Sequence, residues 1–197
     1  MHIAIEGFDG VGKSTTAQEV ARRLGFQYVE KPLSMVTDPE GGHQEYLRFT
    51  RYINQHTDLA FRAMIYGAGT YLLSQRAKTE NIVTDRHLCS MFAINATGEN
   101  DAFFDYLVTA TGKPDLTVIL FAEAATRRQR IIKRDPNDPD LRDKVFSDDA
   151  YNKMRRFVER YQMPYLWIDS THMGLGEVVD AILHHWTQSR KASQCLD

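Results

Sequence analysis

Cysteine is scarce in this 197-residue chain: only Cys89 and Cys195 occur. Two thiols so far apart supply neither a zinc site nor a disulfide framework. A reduced, cytoplasmic setting is therefore expected. No apolar run approaches the ~18 residues needed to span a bilayer. The first strand-like segment begins at Met1, which leaves no room for a leader peptide, so no membrane partner is expected. Neither sign of charge dominates. Lys and Arg total 24, Asp and Glu total 26, and the net charge of −2 argues against binding a nucleic acid polymer. The seven histidines make no metal set; His184 and His185 are adjacent on one helical stretch and face different ways. Internal repeats, low-complexity tracts and linkers are also missing. What remains is an ordinary soluble composition in one compact domain, expected over 1–187 with a polar tail over 188–197.

Against that plain background one segment stands out. Gly7-Phe8-Asp9-Gly10-Val11-Gly12-Lys13-Ser14-Thr15 has the form G-x-x-x-x-G-K-[ST]. Its glycines allow backbone N–H groups to turn inward around a polyphosphate, so Gly10, Val11, Gly12 and Thr15 are candidate cradle residues. Lys13 is placed for the β- and γ-phosphates and the Ser14 hydroxyl for Mg²⁺. Met1 to Glu6 reads as a strand before the loop. Ala17, Val20, Ala21 and Leu24 follow at helical spacing. Strand, loop and helix N-terminus in that order make a triphosphate site.

Further along, strands alternate with helices. Strands are expected at 26–29, 81–84, 116–121 and 166–168, and helices at 44–79 (as one or two), 87–98, 101–111, 124–134, 147–163 and 177–186. Residues 34–43, with Pro39 and Gly41-Gly42, read as a loop. Five short apolar strands separated by helices predict a parallel sheet covered on both faces, a three-layer α/β/α architecture. Ligands in such a sheet sit at the carboxyl ends of the strands. Glu6-Gly7, Glu30-Lys31, Asp85-Arg86 and Asp169-Ser170 all fall there.

Asp85, ending a buried strand and facing the phosphate loop, is placed to hold Mg²⁺ directly or through water. Arg86 can grip an acceptor phosphate bidentately. Asp9 lies inside the loop, where no phosphate contact requires an acid, and can accept from a substrate hydroxyl. Arg127, Arg128, Arg130, Lys133 and Arg134, then Arg142 in a polar loop, form a basic cluster over about 127–145. Phosphoryl transfer develops charge on the moving group, so arginines closing over it as a short lid would lower the barrier. Tyr46, Tyr66, Tyr71 and Phe92 are candidates to stack on a base.

The ordered set resembles the thymidylate kinase family: the loop with its internal acid, Asp85-Arg86-His87, Ser90-Met91-Phe92-Ala93-Ile94-Asn95, Lys113-Pro114-Asp115-Leu116-Thr117, the lid arginines, and Ile168-Asp169-Ser170. The resemblance implies a P-loop kinase fold, ATP and Mg²⁺ as donor and metal, and a possible homodimer. It also implies roles. Lys13 and the loop amides hold ATP, and Ser14 with Asp85 holds Mg²⁺. Asp9 meets the sugar 3′-hydroxyl and Arg86 the acceptor phosphate, while Arg130, Arg134 and Arg142 serve the lid and adenine side. With Gly10 where some members carry arginine, the catalytic arginine is expected from the lid. The acceptor side departs from the family. Glu30 stands where an arginine usually contacts the monophosphate, Ile94 and Asn95 replace an aromatic and a glutamine, and the position of the family's helical arginine falls near Ala63 to Ile65, with Arg62 close to it.

The leading expectation is ATP-dependent phosphoryl transfer to a (deoxy)nucleoside monophosphate. A deoxynucleoside kinase using Glu30 as base toward a 5′-hydroxyl is the alternative, although such enzymes carry E-R-S where this chain has Asp85-Arg86-His87. A nucleotide-binding switch is a third reading, weakened because the guanine-reading N-K-x-D is absent.

Overall fold

The computed structural model describes residues 1–41, 43–138, 141 and 148–194. Five strands form one parallel sheet: β1 (His2–Glu6), β2 (Gln27–Glu30), β3 (Ile82–Asp85), β4 (Leu116–Phe121) and β5 (Tyr165–Asp169), in the order β2-β3-β1-β4-β5. The helices are α1 (Lys13–Leu24), α2 (Ser34–Thr37), α3 (Gln44–Gln55), α4 (Leu59–Ala77), α5 (Leu88–Asn95), α6 (Asp101–Thr111), α7 (Ala124–Arg134), α8 (Asp148–Arg160) and α9 (Leu175–Gln194). The expected α/β class and five parallel strands are present.

The central strands are buried on both faces, which is why they read as short, largely apolar runs. Ile3, Ile5, Val83, Val118 and Leu120 meet Ala17 and Val20 of α1 and Val179, Ile182 and Trp186 of α9 on one side. On the other, Ile119 packs with Leu88 of α5, Phe104 of α6 and Phe157 of α8. The switch in strand order lies between β1 and β3, so the loop after β1 opens beside the end of β3. Register places Asp85 opposite Ile5 on one side and Glu30 on the other. Three acid-bearing strand ends therefore converge next to the phosphate loop.

Two local outcomes differ from the sequence reading. Residues Ser34–Thr37, read as loop, form a helical turn because the Ser34 hydroxyl donates to the Glu30 carbonyl (2.9 Å) and the Ser34 amide to that of Lys31 (2.8 Å). Helix α9 continues to Gln194, through residues read as a polar tail.

Candidate active site

The loop from Gly7 to Gly12 joins β1 to α1 in the geometry its glycines permit. Gly10 and Gly12 have φ of 81° and 97°, in the left-handed region that favours glycine. Gly10 has a second constraint: a Cβ there would lie 2.5 Å from the Arg127 carbonyl oxygen. Helix α7 thus rests directly on the loop, and no side chain fits at position 10. Val11 turns inward into the core, and its carbonyl faces Arg130. The cleft over the loop has a volume of about 700 Å³ and is lined by Asp9, Gly10, Gly12, Lys13, Ser14, Thr15, Asp85, Arg130 and Arg134, among others.

Lys13 is buried and donates to the Phe8 carbonyl at 2.9 Å; Asp9 Oδ1 lies 3.5 Å away. Burial, reinforced by Arg86, lowers its pKa, while Asp9 and Asp85 act in the opposite direction. Asp9 also receives Arg86 at 2.6 Å. Burial disfavours its charge, but Arg86 and Lys13 outweigh that and hold the carboxyl well below the usual carboxylate range. Arg86 is left-handed (φ 76°), an uncommon conformation for a bulky residue, and its second amino group donates to the Gly7 carbonyl at 3.2 Å. Asp85 Oδ2 accepts from the Ser14 hydroxyl. Its Oδ1 is buried and has no hydrogen-bond partner among the described residues.

The arginines of α7 divide. Arg130 reaches the Val11 carbonyl (3.3 Å) and the Ser170 carbonyl (2.7 Å), bridging the loop to the end of β5. Arg134 lines the phosphate cleft and pairs with Asp138. Arg127 is not part of an open basic face: it is 1% exposed, donates to the Ala122 carbonyl at 3.0 Å and packs on the Tyr151 ring. Arg127, Arg130 and Arg134 recur at i, i+3, i+7 along α7, a spacing that could not reveal that one of the three points into the core. Arg142 and most of the segment after α7 lie outside the described residues.

A second cleft, of about 360 Å³, opens between α3, α4 and α5. Tyr46, Arg62, Tyr66, Ser90, Ile94 and Asn95 are among its lining, so the expected acceptor residues on α4 and α5 come together there. Glu30 does not join them; it lines the phosphate cleft and pairs with Lys31 at 3.2 Å. Of the four aromatic candidates, Tyr46 and Tyr66 face this cleft. Phe92 packs instead against Phe104 and Phe157, and Tyr71 is solvent-facing. Tyr66 donates to Asn54 at 2.9 Å, which fixes its ring across the opening. Asn95 donates to the Met91 carbonyl (3.0 Å); its Oδ1 and the Arg62 Nε are buried without partners among the described residues. The two clefts share Asp9, Lys31 and Arg86.

One residue that organises the site gave only a strand-end signal in the sequence. Glu6, fully buried at the end of β1, accepts from the amides of His87 (3.0 Å), Cys89 (2.9 Å) and Ser90 (3.2 Å) and from the Ser90 hydroxyl. Burial raises its pKa, while the Ser90 hydroxyl, the Arg86 charge and the amides of Cys89 and Ser90 pull the other way. A carboxylate at a helix N-terminus satisfies amides that the helix itself leaves orphaned. Glu6 therefore fixes where α5 begins, and with it Arg86 and Ser90.

The family model described as Thymidylate kinase matches residues 5–182. A probable thymidylate kinase of Methanocaldococcus jannaschii is 23% identical over 188 residues, covering 93% of this chain and 94% of the relative. The thymidylate kinase of Staphylococcus haemolyticus is 27% identical, covering 86% and 89%. Among solved structures, the thymidylate kinase of Candida albicans superposes with a TM-score of 0.70 at 17% identity, covering 96% of this chain and 92% of that one. A deoxyadenosine kinase from M. mycoides with the products dCMP and dCDP bound superposes at 0.67 and 20% identity, covering 95% and 100%. These last two similarities establish the fold. Among the described residues no helix is long and apolar enough to cross a membrane. A phosphate loop at the sheet's switch point, a second cleft joined to it through Asp9 and Arg86, and a family match spanning nearly the whole chain together show that this protein belongs to the thymidylate kinase family and is a kinase of nucleoside monophosphates.

Proposed function

We propose that ATP binds over the phosphate loop and a (deoxy)nucleoside 5′-monophosphate in the cleft between α3, α4 and α5. The two substrates meet at Asp9 and Arg86. The observation that carries this reading is that the two clefts are contiguous through these residues. An oxygen of the acceptor phosphate attacks the γ-phosphorus of ATP, the bond from that phosphorus to the β,γ-bridging oxygen breaks, and ADP leaves with the electron pair. The acceptor is already an anionic nucleophile, so no general base is required and catalysis rests on positioning and charge neutralisation.

Mg²⁺ fits the donor set. Asp85 Oδ1 is a buried carboxylate oxygen with no partner among the described residues, beside the Ser14 hydroxyl; hard oxygen ligands of this kind suit Mg²⁺. When bound, the ion would neutralise charge on the β- and γ-phosphates. Lys13 and the loop amides hold the same phosphates from the other side. Arg130 and Arg134 flank the cleft, and Arg142 belongs to the segment that follows them. Arg86 grips the acceptor phosphate and Asp9 accepts from the sugar hydroxyl. Arg62, Ser90, Ile94 and Asn95 surround the rest of the acceptor, and Tyr46 and Tyr66 offer ring faces to its base. Closure of the lid would exclude water, which otherwise hydrolyses ATP.

The test is ATP consumption against a panel of acceptors, each offered as nucleoside and as 5′-monophosphate, with thymidylate first. Turnover of a monophosphate is expected, with Glu30→Gln keeping most of it. Turnover of free nucleosides alone, abolished by Glu30→Gln, would refute the proposal and make Glu30 a base.

A further inference from the structure

We propose that Lys31 is the second cation that holds the acceptor phosphate, presented to it by a strained turn at the end of β2. The inference rests on the two-cleft reading above. Lys31 is one of the residues the two clefts share. Arg86, the other cation shared by both, is already engaged by the Asp9 carboxylate at 2.6 Å and the Gly7 carbonyl at 3.2 Å. A dianionic phosphate arriving beside Asp9 would meet that carboxylate as well as Arg86. A second positive charge at the junction removes this conflict. Lys31 can supply it by exchanging a weak partner. Its ammonium lies 3.2 Å from the partly exposed Glu30 carboxylate and 5.3 Å from the centre of the Tyr46 ring. Both interactions are weak and readily exchanged. A short swing of the side chain trades Glu30 for the phosphate.

The backbone supports the same assignment. Lys31 has φ of 41°, a conformation that a long L side chain rarely adopts. Strain of this kind persists where surrounding structure over-determines it, and it marks functional positions. The determinants are visible. The Ser34 amide donates to the Lys31 carbonyl at 2.8 Å, and the Ser34 hydroxyl to that of Glu30 at 2.9 Å. From the other side, α4 approaches so closely that a Cβ on Gly69 would lie 2.5 Å from Leu33 Cα and 2.7 Å from the Pro32 carbonyl carbon. Gly69 therefore lets the Pro32-Leu33 backbone lie on the helix, and Pro32 locks the exit of the turn. The result is a lysine held over the Tyr46 ring at the junction of the two clefts.

The experiment compares Lys31→Met, Lys31→Arg and Lys31→Gly with wild type, using the 5′-monophosphate that wild type turns over fastest. Loss of one charge-assisted contact to phosphate predicts a KM for the monophosphate raised about 10–100-fold in the Met and Gly variants. The KM for ATP should stay within about threefold, and Lys31→Arg should recover much of the loss. Affinity for the corresponding nucleoside, which lacks the phosphate, should be unchanged, as read by calorimetry. Lys31→Gly, which relieves the strain, should melt at or above wild type. A monophosphate KM within threefold of wild type in folded Lys31→Met and Lys31→Gly would overturn the assignment. So would equal weakening of nucleoside and monophosphate. Wild type failing with every monophosphate would instead overturn the functional reading on which the assignment rests.

Discussion

Replacing Glu6 by Gln is the most incisive single perturbation, because it changes one group at the point where β1 meets the start of α5. In the native protein Oε1 accepts two backbone amides and Oε2 accepts the Ser90 amide and hydroxyl. In the variant, one oxygen becomes an NH₂ facing the Ser90 N–H. The Ser90 hydroxyl can rotate and accept, but the Ser90 amide is then a buried donor without a partner. Such an orphan costs about 1–3 kcal/mol. The two remaining amide bonds lose their ionic character, and bonds to charged groups exceed neutral ones by roughly 1 kcal/mol each. The sum is about 3–5 kcal/mol, a large part of a typical folding free energy of about 5–15 kcal/mol. For a chain of this length each kcal/mol moves Tm by about 2–4 °C, so a drop of roughly 10 °C is expected by calorimetry. The monophosphate KM should also rise, since Ser90 and Arg86 take their positions from the start of α5. Glu6→Asp should not rescue either effect, because the shorter side chain cannot reach all three amides. A Tm within 2 °C of wild type would refute this account, because it would mean that Glu6 is protonated in the folded state and that an amide replaces it without loss.

Further outcomes follow from the same geometry. Gly10→Ala places a methyl against the Arg127 carbonyl in a left-handed residue. It should cost at least about 2 kcal/mol and raise the KM for ATP more than that for the acceptor; unchanged ATP kinetics would show that α7 does not rest on the loop in solution. Asp85→Ala should lower kcat at least about 100-fold and weaken the dependence of rate on Mg²⁺ concentration, while a normal Mg²⁺ titration would remove Asp85 from the metal site. His2, buried against Thr84, has its pKa lowered to about 3, first by burial and then by the nearby N-terminal charge. Its folded pKa lies below the unfolded value of about 6.5, so the unfolded chain binds the proton more readily and stability falls as pH drops below 6.5. Between pH 7 and pH 5 this one group removes about 2 kcal/mol. The buried carboxyl of Glu6, with its raised pKa, acts in the opposite sense, so the readout is the difference between wild type and His2→Phe in urea denaturation at the two pH values. Equal losses in both proteins would show that His2 is protonated in the fold.

What the chain order alone determined here is local and periodic. The G-x-x-x-x-G-K-[ST] spacing sets a loop whose φ values only glycines adopt readily. The apolar runs at 2–6, 82–85 and 116–121 are strands because both faces of a central parallel sheet are covered. Asp85 was legible as a metal candidate because a strand that ends in an acid beside such a loop has its position fixed by topology. Tertiary packing decided the rest. Arg127, Arg130 and Arg134 have the same spacing signal, yet one fills the core over Tyr151 while the others face the phosphate cleft, because the height at which α7 rests on Gly10 selects which side chains clear the loop. Tyr46 and Tyr66 line the cleft between α3, α4 and α5 and Phe92 does not, since α5 turns that ring toward α6 and α8. Glu6 caps a helix more than eighty residues away, and Gly69 lets the Pro32-Leu33 backbone lie against α4. These are contacts between segments distant in sequence. Hydrophobic periodicity is a property of neighbours along the chain, and it carries no record of which distant backbone will come to lie against them.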